Sequence, residues 1–243
     1  MDSIWEVDTV NIQDYLLEHS EVAELFEGLT KAQLSEVQLK PFKKGEYLAV
    51  SGEDDNNFYV ILEGVADVMN DYETGERLAC SKIARGDVIG FYGLLADGTK
   101  AQFTIVAHTP VLVAYIPRED AKAFFSTNPA FMNATGRRFV ERLYKTSKLL
   151  AECGVSSLYH AAITYLLYSC NLYATGYPIG YTGPVRIDES RQNMADFLGV
   201  DVRSINRAIE RLKKDNLVSI IKGKVHINAL QLQKLEEVRH QES

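Results

Sequence analysis

The residues best equipped for chemistry lie in one stretch, 190–214, which reads SRQNMADFLGVDVRSINRAIERLKK. Wound as a helix, Val202, Ile205, Ala208, Ile209 and Leu212 gather on one side, and Arg203, Asn206, Arg207, Glu210 and Lys214 on the other. A helix that only packs needs the first stripe alone. The second brings two guanidiniums and an amide to the N-terminal turns. These groups form paired hydrogen bonds with guanine and adenine edges in the major groove. A charge run by itself is more often a solvated helix face, so the reading depends on what positions this one.

The flanking residues supply that positioning. Ser190 can cap a helix over 191–198, Gly199 can end it in a left-handed turn, and Asp201 can cap the next helix. Two helices joined by about three residues around a glycine have helix-turn-helix spacing. Leu217–Ile221 and Lys224–Ile227, joined through Lys222-Gly223, read as a hairpin whose lysines suit a wing touching phosphates. Ala229–Val238 reads as a closing helix. The expected DNA-contact set is Arg203, Ser204, Asn206 and Arg207, with Arg191, Gln192, Lys222 and Lys224.

Charge is distributed to match. The chain of 243 residues has a net charge of -7, which alone argues against nucleic acid. Yet residues 1–110 hold 8 Lys+Arg against 20 Asp+Glu, a net of -12, while residues 203–224 hold 7 basic groups against 2 acidic ones. Screening confines fields to roughly 10 Å at moderate salt, so the local balance governs the partner.

Other chemistries find little support. No glycine-rich phosphate loop, His-rich metal set or Ser/Cys–His constellation occurs, so no enzyme is expected and no metal site is assigned. Cys80, Cys153 and Cys170 have neither clamp spacing nor an even count. The start Met1-Asp2-Ser3-Ile4-Trp5-Glu6 does not read as a secretory signal. The longest near-apolar stretch, Ala161–Tyr168, is far short of the ~20 residues a membrane span needs. A cytoplasmic protein with reduced thiols and no membrane partner is expected.

Upstream, residues 11–40 carry apolar residues at helical spacing. From Phe42 onward, runs rich in Val, Ile, Phe and Tyr alternate with glycines: Tyr47–Val50, Phe58–Leu62, Val65–Met69, Leu78–Ile83, Val88–Gly90, Phe103–Ala107 and Val111–Ile116. Short strands at about ten-residue spacing predict an antiparallel roll or barrel, closed by Pro117. A long helix is predicted from Pro129 to Glu152, broken at Gly154, with a hinge over Cys153–Ser156. Met132, Gly136, Phe139, Leu143, Thr146, Leu150 and Cys153 step by 4 and 3 in turn, a heptad seam suited to self-association. Met132, Phe139, Leu143, Thr146 and Leu150 are its expected interface. A further helix over 157–173, a loop over 173–184 and a strand at 185–187 lead to the helix pair.

Taken together, the chain resembles the Crp/Fnr family of bacterial transcription regulators over about residues 20–228. The marks are KGEYLAVSGEDDNNFYVILEGVADV (44–68), RGDVIGFYGLL (85–95), VLVAYIPREDAKAF (111–124) and SRQNMADFLGVDVRSINRAIERLKKDNLV (190–218). The resemblance implies an α+β fold: an N-terminal double-stranded β-roll of the cyclic-nucleotide-binding type, a long dimerisation helix and a C-terminal winged helix-turn-helix. The expected division is 1–128 for the roll with its N-terminal helices, 129–153 for the dimerisation helix and 154–243 for the DNA-binding domain. It also implies a homodimer on a pseudo-palindromic operator in double-stranded DNA, with RNA polymerase as a further candidate partner.

Several positions depart from the family. Nucleotide-binding members hold ribose with the glutamate of a Gly-Glu-Leu turn and the cyclic phosphate with an Arg-Ser pair. Here the turn is Gly90-Phe91-Tyr92-Gly93, and an ungapped reading puts Ala101-Gln102 at the Arg-Ser positions. Cyclic AMP is therefore not the expected effector. An iron–sulfur cluster is not expected either, because no cysteine precedes Cys80. His19, His108, His160 and Cys80 are candidate haem ligands, though a lone histidine is usually structural. There remains an unidentified small effector near Gly90, Phe91, Tyr92 and Gly93, with Thr146 and Ser147 resembling a pair that reaches the ligand in relatives. Plain core packing of Phe91 and Tyr92 competes with it, as does a constitutive or redox-responsive regulator without ligand. In the recognition helix, Arg207 matches a family arginine that contacts guanine, whereas Arg203 replaces a hydrogen-bond-accepting glutamate. The preferred half-site should then differ from TGTGA and TTGAT.

Overall fold

A computed structural model describes residues 11–54, 56–71, 77–95, 100–177 and 181–240, with only the backbone described at 77–79. The chain divides into two compact units at Leu143/Tyr144.

The first unit begins with short helices, α1 (Ile12–Glu18), α2 (Ser20–Ala23), a 3₁₀ turn (Glu24–Phe26) and α3 (Lys31–Glu36). Eight strands follow: β1 (Gln38–Phe42), β2 (Tyr47–Ala49), β3 (Asn57–Glu63), β4 (Val65–Asp71), β5 (Arg77–Ala84), β6 (Val88–Ile89), β7 (Thr104–Ala107) and β8 (Val111–Pro117). They form two antiparallel four-stranded sheets, ordered β1-β8-β3-β6 and β2-β7-β4-β5. The first carries α4 (Phe91–Leu95) directly after β6, and α5 (Arg118–Thr127) follows β8.

The apolar run Phe58–Leu62 shows how the unit is layered. Successive strand residues face opposite ways. Tyr59 and Ile61 enter the core between the sheets with Phe42, Leu48, Ile83, Ile89, Ile105 and Val113. Phe58, Val60 and Leu62 pack outward on Ile12, Val22, Phe124, Phe125 and Phe131 from the helices. A strand covered on both faces reads as a continuous apolar run, without the alternation of a half-exposed one.

The structure corrects the sequence reading at several points. The helical pattern expected over 11–40 ends at Glu36, where Val37 turns extended and β1 begins, paired with β8 from Gln38↔Tyr115 to Phe42↔Val111. Pro41 is tolerated there because β1 is an edge strand. Helices α4 and α5 were not expected. The long helix, α6, runs from Pro129 to Val155, straight through Gly154, so that glycine does not break it. Glycine inside a helix costs only about 1 kcal/mol relative to alanine. Termination comes instead at Ser156, with Ser157 capping α7 (Leu158–Ala174) through a bond from the His160 amide.

In the second unit, α7 is buried on nearly every side. Strand β9 (Val185–Ile187) joins β10 (Ser219–Ile221) and β11 (Lys224–Ile227) in the order β10-β11-β9. Between them stand α8 (Arg191–Leu198) and α9 (Val202–Lys214), and α10 (Ala229–His240) follows. The β10–β11 turn has positive φ at both Lys222 (48°) and Gly223 (78°). That is the twist a two-residue hairpin needs.

Candidate nucleic-acid interface

The interface is assembled from three caps. Ser190 Oγ accepts the Asn193 amide at 2.9 Å and starts α8. Gly199, at φ 65° and ψ 34°, ends it in the left-handed conformation. Asp201 Oδ1 then accepts the Ser204 amide at 2.9 Å, and Ser204 Oγ donates to Asp201 Oδ2 at 2.7 Å. Those two bonds hold the Asp201 carboxyl below the usual carboxylate range. The Ser204 hydroxyl is thus engaged in the cap, a role its place in the sequence-derived contact set did not anticipate.

Helix α9 buries Ile205, Ala208, Ile209 and Leu212. The same rotation leaves Arg203, Asn206, Arg207 and Glu210 exposed. Among the described residues, no side chain engages the guanidinium of Arg203 or Arg207. The basic groups of the last turns differ. Arg211 lies 4.2 Å from the Tyr159 ring centroid and 3.9 Å from Asp215, and Asp215 accepts the Tyr159 hydroxyl at 2.7 Å. Lys213 lies 3.7 Å from Glu210. The Tyr159–Asp215–Arg211 cluster anchors the C-terminal end of α9 to α7. The Arg211–Asp215 pair has i,i+4 spacing that sequence could suggest, but Tyr159 lies 56 residues from Asp215 and no local signal links it to them.

The rest of the expected contact set is spread around this helix. Arg191 is half-buried, with Nη1 3.6 Å from Met194 Sδ. Burial pulls its pKa below the usual value, with Glu210 pulling the other way. Gln192 is exposed and donates to Asp196 Oδ1 at 2.7 Å. Lys222 projects from the hairpin turn, exposed. Lys224 is half-buried and donates to Asp188 Oδ1 at 2.9 Å and to the Glu189 carbonyl at 3.1 Å.

Comparison with known proteins bears on this geometry. Residues 39–128 match the family model of the cyclic nucleotide-binding domain, and residues 163–238 that of the Crp-like helix-turn-helix domain. The chain belongs to the Crp/Fnr family. It is similar to the global nitrogen regulator of Synechococcus elongatus, 21% identical over 192 residues, which cover 79% of this chain and 86% of that one. It is also similar to the cAMP-activated global transcriptional regulator CRP of Haemophilus influenzae, 21% identical over 185 residues (76% and 81%). Among solved structures, a CRP-family transcriptional regulator from Thermus thermophilus superposes with a TM-score of 0.66 at 18% identity, covering 83% of this chain and 96% of that one. FixK2 from Bradyrhizobium japonicum gives 0.66 at 16% (82% and 96%). Like other Crp/Fnr members, the chain is a transcription regulator with a helix-turn-helix DNA-binding domain.

Against that family frame, the positions expected to meet an effector are diverse. Phe91 is buried, stacks on Phe139 with ring centroids 5.0 Å apart, and meets Phe125 in a tilted contact at 5.6 Å. Tyr92 is exposed, and the carbonyl of buried Gly93 accepts from Arg118 Nη2. Gly90 has φ 87°, and a Cβ there would collide with the Asn57 carbonyl, so its conformation explains it without a ligand. Thr146 is half-buried and Ser147 exposed, both on α6 in the second unit. Ala101 is buried, and Gln102 is exposed with its amide donating to the Lys100 carbonyl at 3.1 Å.

The heptad seam also needs correction. Phe139 is half-buried and packs against the core of the first unit through its stack on Phe91, so only part of its ring is open to a seam. Met132, Val140, Leu143, Tyr144, Leu150 and Val155 are the exposed apolar residues of α6, with Val140 63% and Leu143 55% accessible. All three thiols are free, and burial raises each above its ordinary pKa, to about 11 for Cys153 and Cys170. Protonated thiols are poor nucleophiles at neutral pH. Among the described residues, no helix is long and apolar enough to cross a membrane.

The two hairpin lysines should behave differently. Replacing Lys222 by alanine should lower the slope of log affinity against log salt by about one counterion. Lys224→Ala should leave that slope within about 0.3 and instead lower the unfolding midpoint, because its ammonium is engaged by Asp188 and Glu189. DNA titrations at several salt concentrations, with thermal melts, check both.

Proposed function

We propose that the chain acts as a homodimeric, sequence-specific regulator that reads a pseudo-palindromic operator with α9, and that cyclic AMP is not its effector. The reading assigns residues 1–128 to sensing, 129–153 to dimerisation and 154–243 to DNA binding. One observation carries it: Arg203, Asn206 and Arg207 sit exposed on the first two turns of a helix whose opposite face is buried. These turns reach base edges when such a helix enters the major groove. Arg207 supplies a donor fork for guanine, and Arg203 supplies donors where relatives carry an acceptor. The partner helices must then lie about 34 Å apart, one duplex turn.

The experiment is selection of binding sites from a random pool, followed by titration of the recovered sequence and of random DNA. Arg207→Ala should weaken operator binding by about ten- to a hundredfold, the worth of one paired base contact. Random-sequence binding, dominated by phosphates, should change far less. Equal losses on both duplexes would remove Arg207 from base reading.

Pairing of subunits is attributed to the exposed apolar stripe of α6. In water such side chains gain roughly 25 cal/mol per Å² when covered. A charge at Leu143, near the middle of the stripe, should therefore leave Leu143→Glu monomeric in sedimentation at concentrations where the wild type is a dimer. Identical sedimentation of the two would move the interface elsewhere.

The effector proposal rests on the two departures at the ligand positions. Phe91 cannot accept a ribose hydroxyl, and Ala101 offers no donor to a phosphate. Losing a charged partner of a buried phosphate costs several kcal/mol, roughly a thousandfold in affinity. Calorimetry with cyclic AMP and cyclic GMP should give no binding below millimolar concentration; micromolar binding of either would overturn this part.

A further inference from the structure

Four residues of α6, Gly136, Arg138, Phe139 and Arg142, face the roll. Phe139 stacks on Phe91, and a Cβ at Gly136 would come 3.4 Å from the same ring, so the helix lies in contact with it. Arg138 spans the β5–β6 turn, its Nε 3.4 Å from the Gly86 carbonyl and its Nη2 3.4 Å from that of Arg85. Gly86 has φ 84°, and a Cβ there would touch the Arg138 guanidinium, so the turn is shaped to admit it. One turn further along the helix, Arg142 donates through Nη2 to Ser81 Oγ at 2.6 Å, with Nε 3.7 Å from Asp87 Oδ2. The Arg142 and Asp87 side chains are only 14% and 13% exposed. Asp87 is itself fixed by the Ala84 amide, at 2.9 Å. Aromatic stacking and a mostly buried ion pair therefore fasten this part of α6 to strand β5, the β5–β6 turn and the start of α4.

We propose that Arg142, held by Ser81 and Asp87, is a positioning residue that keeps α6 seated on the roll without a ligand, and that operator binding is set by this internal latch. The inference rests on the DNA-reading function proposed above and names how it is controlled. The position where relatives place a ribose-binding glutamate is filled by Phe91, already packed on Phe139. A buried arginine meets a hydroxyl and a carboxylate of its own chain. A helix fixed in this way is pre-organised: the freedom that would otherwise be lost on binding DNA is already gone. Releasing the latch restores that freedom and so weakens binding to two half-sites at once. Attachment to random phosphates requires no fixed spacing and should be affected less.

The test uses the full-length chain with no small molecule added and the operator recovered by selection. Arg142→Leu should lower operator affinity about tenfold and random-DNA affinity less than about threefold. Ser81→Ala, which removes one hydroxyl and leaves the core intact, should lose operator affinity in the same direction by a smaller factor. The double variant should be no worse than Arg142→Leu alone, since both break one interaction. Arg142→Lys should recover part of the loss through its charge. Operator affinity within twofold of wild type in both single variants, or rising in either, would overturn the latch. A wild type that binds selectively while the latch variants are indifferent sinks this inference alone. A wild type that recovers no sequence from the pool sinks the DNA-reading function with it.

Discussion

Everything the second unit can do depends on the rotation of α9 about its own axis, and burial fixes that rotation. Ile205, Ile209 and Leu212 are at most 1% exposed. Each such side chain contributes roughly 1.5–3 kcal/mol when withdrawn from water. Turning the helix enough to hide Arg203 and Arg207 would expose all three and bury two guanidiniums, which is costly on both counts. The Asp201 cap and the Gly199 turn fix where the helix starts. The Tyr159–Asp215–Arg211 cluster ties its far end to α7. The outward stripe is thus a consequence of an inward one, and guanidiniums that no side chain among the described residues engages are still aimed by it.

Electrostatics divides the labour. The acidic balance of residues 1–110 repels a polyanion, while the excess of cations over 203–224 attracts one within a screening length. A regulator with net charge -7 can therefore bind DNA through one surface and resist coating it with the rest. The same logic ranks the cations. Lys224 and Arg211 already have anionic neighbours within the unit and have less to gain from phosphate.

How far the sequence was readable follows from how local each signal was. Helix α8 and the start of α9 were placed to the residue, because Ser190, Gly199 and Asp201 are caps whose chemistry acts within three positions. The hairpin glycine acted the same way. Strand β1 was misread, since Leu34 and Val37 fit a helical period and only pairing with distant β8 reveals the extended form. Helix α5 was hidden behind Pro117, read as a stop although its residue precedes a helix start. Phe139 fitted a heptad, but its stack on Phe91 half-buries it, and the more accessible apolar side chain beside it is Val140. The sequence patterns counted apolar residues correctly; what they lacked was which of two competing surfaces each would meet.

Arg203 is the cation of α9 least supported by the helix itself. A cation in the first turn faces the positive end of the helix dipole, which disfavours it by a few tenths of a kcal/mol to about 1 kcal/mol. The basic residues of the last turn, Arg211, Lys213 and Lys214, sit where the dipole favours them and need no external reason. Arg203 has no such support along the axis, and no side chain among the described residues holds its guanidinium. Asp201, two residues away, offsets part of the penalty through its carboxylate while capping the helix. An arginine placed against the local field, in the first turn of the helix, fits a binding partner that brings its own negative charge and hydrogen-bond acceptors.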